Sequence, residues 1–426
     1  ISREDIDDIF GRIDRRSTKP VLLKERIGQE ETLLLASRGR ELPGVALYQS
    51  AYRDYIDGFI FSHVLGYEGK IRKEELDEHP EYLMTDSIGK QGIEKSYESV
   101  LRGRHGFQRV EVDALGQVKK DLGTVYPEAG SDLLLNIDAD LEKKTFDSLS
   151  ALLEKNGLKR AAAIAIDPRD GAVRALVSLP SFDNNLFSRG ISSSEYRALA
   201  DDPSQPLFNR AVSGEYPPGS TIKPVVASAA LAEGVVGPDT VIDSLGGALR
   251  IGAASFRDWT VHGPSAIRQA IAESNDIFFY TVGGGYGPIR GLGMDRMKRY
   301  EQLFGYGEKT GIDTTGEADG FVPDPAWKEE KLKERWSIGN TYHASIGQGF
   351  VLATPLQVLN SVAAIANGGT LYAPRIAAQV RSSDGKASVI PPKVIRKDFI
   401  DPSVLRIVRE GMRQTVTSGT AQPLQS

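Results

Sequence analysis

The chain of 426 residues contains no cysteine. That excludes disulfides, thiolate metal sites and a Cys nucleophile, and it suits an oxidising compartment. No apolar run approaches the roughly 18–20 residues that a membrane span needs. The opening Ile1-Ser2-Arg3-Glu4-Asp5 is charged at once, unlike a signal peptide. Basic charge is not in excess either: 52 Lys and Arg stand against 57 Asp and Glu, for a net charge of −5. With no basic stripe, a nucleic-acid partner is excluded. H-x-x-H and H-E-x-x-H spacings are missing, and the scattered His63, His79, His105 and His343 read as structural. What remains is ordinary, with 40% hydrophobic and 26% charged residues, enough for two or three domains with their own cores.

The first quarter, to about Leu115, mixes short helical patterns with glycine-marked turns. Leu122-Gly123-Thr124-Val125-Tyr126-Pro127-Glu128-Ala129-Gly130 reads as a linker, because Gly and Pro break any period. Behind it, Asp132–Asp138 predicts a strand that runs into a helix over Leu141–Lys155. Two apolar runs, Ala161–Ile166 and Ala172–Ser178, flank Asp170-Gly171 and predict a hairpin in a buried sheet. Helical patterns follow at Val225–Ala232, Ile267–Ala272 and Val358–Ala366. The expected fold class is α+β, a smaller mixed module over residues 1–127 followed by a domain over 128–426 that packs helices on a sheet.

The most informative stretch is Tyr216-Pro217-Pro218-Gly219-Ser220-Thr221-Ile222-Lys223-Pro224. The prolines and glycine fix the approach, so Ser220 is expected at a helix start, with Pro224 tolerated in the first turn. Positions i and i+3 share a helix face, which brings Lys223 beside Ser220, within or near hydrogen-bond reach. A serine hydroxyl needs a base to become a nucleophile, and a lysine is one when burial lowers its pKa. Backbone N–H groups at the helix start suit a developing oxyanion. Read alone, S-x-x-K is a capped helix with a surface lysine.

A second box follows, Glu273-Ser274-Asn275-Asp276-Ile277-Phe278-Phe279-Tyr280. It fits the S-x-N or S-x-D of serine-lysine acyltransferases. Ser274 would pass a proton between Lys223 and the leaving or attacking amine, while Asp276 or Asn275 holds the lysine or the substrate amide. Read alone, it is a helix N-cap before an aromatic face. The order of the two boxes favours the catalytic reading.

Further motifs carry a family resemblance. Asn209-Arg210-Ala211 precedes the nucleophile, and Thr310-Gly311-Ile312-Asp313 and Pro323-Asp324-Pro325-Ala326-Trp327-Lys328 follow the second box. Then come Ile346-Gly347-Gln348-Gly349, Thr354-Pro355-Leu356-Gln357 and Ala366-Asn367-Gly368-Gly369. In the first module stand Leu65-Gly66-Tyr67, Gly89-Lys90-Gln91-Gly92-Ile93-Glu94 and Tyr97-Glu98. This ordered set resembles the class B penicillin-binding proteins, and Asp276 in the second box favours their elongation type. The resemblance implies a transpeptidase domain of the serine β-lactamase-like kind on a non-catalytic pedestal. It implies a D,D-transpeptidase in which Ser220 attacks the D-Ala–D-Ala carbonyl of a peptidoglycan stem peptide, and which β-lactams acylate. By the same resemblance, Gln348, Gly349 and Asn275 bind substrate. The family works outside the cytoplasmic membrane on one N-terminal anchor, beside a membrane-embedded glycan polymerase.

The family's third box, K-[ST]-G, should edge the cleft after the Gly347-Gln348-Gly349 segment. Lys309-Thr310-Gly311 precedes that segment and reads as a decoy, expected away from Ser220. Thr417-Ser418-Gly419-Thr420-Ala421 lacks the lysine and resembles the end of the helix before the true box. The expectation is a chain truncated at both ends. The family often holds zinc between two Asp, one His and one Cys. The matching residues are Asp243, Asp258 and His262, with Asn275 in the cysteine's place. Asn lacks the charge of a thiolate, so the expectation is no zinc and no other cofactor, the three residues close together, and Asn275 bonded to His262. Two other functions compete: a penicillin-hydrolysing relative, for which no Glu motif stands in place, and an inert partner that activates a glycan polymerase.

Overall fold

The computed structural model describes residues 3–12, 21–24, 27–47, 52–113 and 118–425. Leu115 lies outside them. In the first module, helix α1 (Gly58–Leu65) leads into strand β1 (Tyr67–Lys70), which pairs antiparallel with β2 (Ser87–Gln91). Ile71, Tyr82 and Ile88 form its small core. Two of the sequence motifs meet here. Gly66 has φ +72°, and a Cβ on it would stand 1.9 Å from the carbonyl oxygen of Gln91. No side chain fits so close an approach in that backbone region, which is why glycine occurs there.

Strands β3 (Phe107–Val112) and β4 (Val118–Val125) make an antiparallel hairpin, exposed at every described position. This corrects the linker expected over 122–130, since its first four residues belong to β4. Gly123, with φ +126°, sits where the register slips, so it absorbs a bulge and the strand continues through it.

In the second domain, β5 (Asp132–Leu135) runs into α2 (Ala139–Lys155) as expected, with the Asp138 carboxylate capping the N–H groups of Asp140 and Leu141. Strands β6 (Ala161–Ile166) and β7 (Val173–Leu179) form the expected antiparallel hairpin. Only β7 is buried, under α1 and α2. β6 is partly exposed along its length, which corrects the expectation of a buried sheet. Helix α3 (Lys223–Ala232) is followed by the hairpin of β8 (Ala248–Ile251) and β9 (Ala254–Arg257). Helices α4 (Ile267–Ala272), α5 (Asp276–Gly284), α6 (Ile338–Ser345) and α7 (Pro355–Ala366) precede β10 (Ala377–Arg381), which pairs with β5. Helix α8 (Pro402–Thr417) lies against α4, and Gly411 leaves room for Ile271. The main core gathers Val225, Val226 and Ala229 of α3, Phe278 and Phe279 of α5, and Leu405 and Val408 of α8. Catalytic candidates therefore stand on helices that share one core.

The two domains are joined by polar clamps. Asn185 accepts from the Tyr55 N–H at 2.8 Å and donates to the Tyr55 carbonyl at 2.9 Å. Asn184 donates to the Gly66 carbonyl at 2.9 Å. Asp313 accepts from the Tyr97 hydroxyl at 2.8 Å and from the N–H groups of Ile376 and Ala377 at 2.6 and 2.9 Å. The Thr310–Asp313 motif is thus an anchor for the first module.

Candidate active site

The Tyr216–Ser220 approach is sewn to the segment 347–353. Tyr216 and Ala353 exchange backbone hydrogen bonds of 2.9 and 2.8 Å, and the Gly219 N–H donates to the Gly347 carbonyl at 2.9 Å. Gly219 and Gly347 both have positive φ, +56° and +70°. A Cβ on Gly347 would stand 2.3 Å from the Gly219 oxygen, so the contact requires glycine. Ser220 is exposed on the short 3-10 turn Gly219–Ile222, which runs directly into α3. The expected helix start is therefore a tighter turn, with Lys223 as the first residue of α3.

Lys223 is 2% exposed. Its ammonium donates to the Ser274 carbonyl at 2.8 Å, to the Ser274 hydroxyl at 3.0 Å and to the Asp276 carboxylate. Three donors meet three acceptors, and among the described residues no hydrogen bond joins Lys223 to Ser220. The expected direct bond gives way because a carboxylate is a stronger acceptor than a neutral hydroxyl. Burial pushes the Lys223 pKa below the ordinary lysine value, and the charge of Asp276 pulls it only part of the way back. Burial likewise raises Asp276, against the pull of Lys223.

Ser274, Asn275 and Asp276 form the corner between α4 and α5. Ser274 has φ +55°, a left-handed backbone that costs a non-glycine residue about 1–3 kcal/mol. This conformation turns both its carbonyl and its hydroxyl to Lys223. The indole N–H of Trp259 donates to the same carbonyl at 3.2 Å. Asn275, expected to contact substrate, is instead 0% exposed and caps α5, accepting from the Phe278 N–H at 2.9 Å. Gln348 and Gly349 are exposed beside the Ser220 approach, with the Gln348 amide 3.6 Å from the place a Gly219 Cβ would take.

Lys309 lies in an irregular segment, outside any strand. The next residue, Thr310, is held through its N–H and hydroxyl by Glu317, and the Glu308 carbonyl accepts from Gln357. That turn stands beside the Asp313 anchor, which is the place of a structural joint.

The metal candidates do not fit zinc. Asp258 engages both oxygens with backbone, the Trp259 N–H at 2.8 Å and the Ile277 N–H at 3.0 Å. Asp243 turns on its own loop to the Leu245 N–H at 2.9 Å. His262 comes within 3.5 Å of Asp258, and its other nitrogen lies 3.2 Å from Glu273. Asn275 bonds Ser244 and Ser265, and not His262 as expected. Among the described residues no three His, Cys, Asp or Glu side chains form a group able to hold a metal ion. Asp258 and His262 lie together as expected, while Asp243 is engaged on its own loop. Asp258 caps α5 from outside, a contribution that local sequence does not signal because its partner lies on another element. The contact of Trp259 with the Ser274 carbonyl likewise carries no local signal.

The arrangement pairs an exposed hydroxyl with a buried amine of lowered pKa, one helical turn on, and a second hydroxyl bonded to that amine. Such an arrangement has the parts that nucleophilic acyl transfer requires. The Penicillin binding protein transpeptidase domain family matches residues 161–425, and the Penicillin-binding Protein dimerisation domain family matches residues 1–135. The chain is 36% identical to the peptidoglycan D,D-transpeptidase MrdA of Acinetobacter baumannii, over all of this chain and 62% of that protein's length. It is 37% identical to MrdA of Escherichia coli, over 88% of this chain and 58% of that one. The chain therefore spans about three-fifths of these relatives. Among solved structures, Pseudomonas aeruginosa PBP2 in complex with WCK 5153 aligns with a TM-score of 0.76 and 34% identity, covering 89% of this chain and 78% of that one. PBP2 of Helicobacter pylori in complex with MreC aligns with a TM-score of 0.79 and 30% identity, covering 96% and 75%. With both domain families matched in order, the chain belongs to the class B penicillin-binding proteins, of the PBP2 type.

Proposed function

We propose that this chain is the catalytic portion of a peptidoglycan D,D-transpeptidase. Ser220 attacks the carbonyl of the penultimate D-alanine of a stem peptide, and its proton passes to Lys223 in the neutral form. Ser274, bonded to Lys223 at 3.0 Å, relays that proton to the departing amine, and the terminal D-alanine leaves. An amine of a neighbouring stem then attacks the acyl-Ser220 ester, giving up its proton along the same path, and the cross-link forms. Gln348 and Gly349, exposed beside the approach, hold the peptide. A β-lactam presents the same acyl group and leaves a stable ester on Ser220.

One observation carries this reading: Lys223 is buried, shifted towards the free base, and bound to both residues of the second box. An ordinary surface lysine on a capped helix would be solvated and unshifted. The similarity to a chain of a peptidoglycan synthase complex, at a TM-score of 0.73 and 30% identity, supports a glycan polymerase as partner. The site of action is then the outer side of the cytoplasmic membrane, with the protein held there by an anchor. Among the described residues no helix is long and apolar enough to cross a membrane.

The test is labelling of the full-length protein with a fluorescent penicillin. A stable label that Ser220→Ala abolishes is the expected result. A label that decays within a turnover would mark a penicillin hydrolase. No label on the wild-type protein would mark an inert partner and overturn the proposal.

A further inference from the structure

We infer that Asn275 is a positioning residue for acylation, its amide fastening the Ser274 corner to Ser244 and Ser265 so that Ser274 keeps facing Lys223. The inference rests on the acyltransferase reading above.

Asn275 is fully buried, as are Ser244 at 1% and Ser265 at 0% exposure. Its amide nitrogen donates to the Ser244 hydroxyl at 2.9 Å and points to the Ser265 hydroxyl at 3.4 Å. Its amide oxygen accepts from the Phe278 N–H at 2.9 Å and lies 3.1 Å from the Ser244 hydroxyl. Both amide donors and both acceptor positions thus have partners. A helix cap needs the oxygen alone, so the nitrogen's bonds exceed what capping requires.

Those bonds reach one defined place. Ile242 and Ser265 form a backbone bridge through two hydrogen bonds of 3.0 Å, which closes the loop that carries Asp258 and Trp259. The same loop touches the corner at two further points, where Asp258 accepts from the Ile277 N–H and Trp259 donates to the Ser274 carbonyl. Asn275 stands between these points and the bridge. A left-handed serine persists only where its surroundings hold it, and Asn275 is the adjoining residue whose side chain is fixed on every side. Aspartate here would bury a charge beside Asp258 and Asp276. Serine would cap α5 yet lack the second polar atom for the bridge. The amide alone supplies donors and acceptors without charge.

The experiment measures acylation of the full-length protein by a fluorescent penicillin, resolved into the first-order constant k2 and the dissociation constant K of the noncovalent complex. In Asn275→Ala, k2 is expected to fall roughly ten- to a hundredfold with K nearly unchanged, the signature of a displaced catalytic group. The double variant Ser244→Ala/Ser265→Ala leaves the α5 cap in place and is expected to lower k2 in the same way. A folded double variant with wild-type k2 overturns the inference. So does unfolding of both variants, which would show that the amide holds the domain and not the corner. Failure of the wild-type protein to acylate at all would sink the acyltransferase reading itself, a separate and earlier result.

Discussion

Lys223 is bound twice by Ser274, at the carbonyl and at the hydroxyl, although the two residues stand 51 positions apart in the chain. The proposed base and relay are therefore one unit, fixed by a backbone conformation as much as by a side chain. Since burial holds Lys223 below the ordinary lysine value of 10.5, the free base that accepts the Ser220 proton forms below that pH. Acylation should rise with pH along a limb whose midpoint lies under 10.5. The negative charge of Asp276 acts the other way, keeping the lysine protonated to higher pH. Asp276→Asn should accordingly move the limb to lower pH, whatever it does to the maximum rate. A pH profile of penicillin acylation on both proteins checks this, and an unmoved limb would refute it.

Gly347→Ala should disrupt the site without touching a catalytic side chain. The new methyl group would stand 2.3 Å from the Gly219 oxygen, in a backbone with φ +70°. The left-handed strain and the displaced elbow together should cost about 2 kcal/mol or more of stability. Labelling of Ser220 should be nearly lost even in the folded fraction. Thermal unfolding and labelling on the same preparation separate the two effects.

Glu142 gives a stability prediction. Its side chain is fully buried on α2, with one oxygen accepting from the Leu176 N–H at 2.7 Å and the other unpartnered. Burial raises its pKa from 4.5 to about 7. A carboxyl raised in the folded state stabilises fully below pH 4.5, and that contribution is lost as pH rises through about 7. Glu142→Gln should be little changed near pH 4 and more stable than wild type near pH 8, by at most about 3 kcal/mol. Melting temperatures across that range read the crossing, and parallel curves would count against it.

Asn185→Ala should loosen the domain joint. It removes both hydrogen bonds to the Tyr55 backbone, leaving a buried N–H and carbonyl without partners, at a cost of about 2–3 kcal/mol. Limited proteolysis should then release the first module sooner, while acylation of Ser220 persists. Equal digestion rates for the two proteins would show that the joint relies on other contacts.

Much of the site was legible because its residue types sit at fixed local spacing. The spacing of Ser220 and Lys223 puts them one turn apart at the start of α3, and Ser274 and Asp276 need only a helix start. The hairpin of β6 and β7 was legible from Asp170-Gly171 between apolar runs. What could not be read depends on choices between distant partners. Lys223 selects Ser274 and Asp276 over the nearby Ser220, since only a folded core brings a carboxylate to it. Asn275 turns inward because Ser244 and Ser265 await it there. Asp258 looked like a remnant of a metal site, yet it caps a helix whose first residue is 18 positions on by number alone. Gly123 looked like a break and proved to be a bulge, because a glycine in a strand is punctuation only when the partner strand ends too.

The glycine contact between residues 219 and 347 has a bearing on how the protein comes into being. Contacts between sequence-distant segments form late, since a long loop must close before they can stabilise anything. The turn that carries Ser220 leans on a segment that emerges from the ribosome well after it. Until that segment arrives, the serine has no fixed direction and its neighbour Gly219 lacks the carbonyl it bonds. On the proposed mechanism, a nascent chain is thus chemically silent until that segment has been made. On that mechanism, reactivity then waits on the closing of this loop, so labelling of Ser220 also serves as a gauge of its closure.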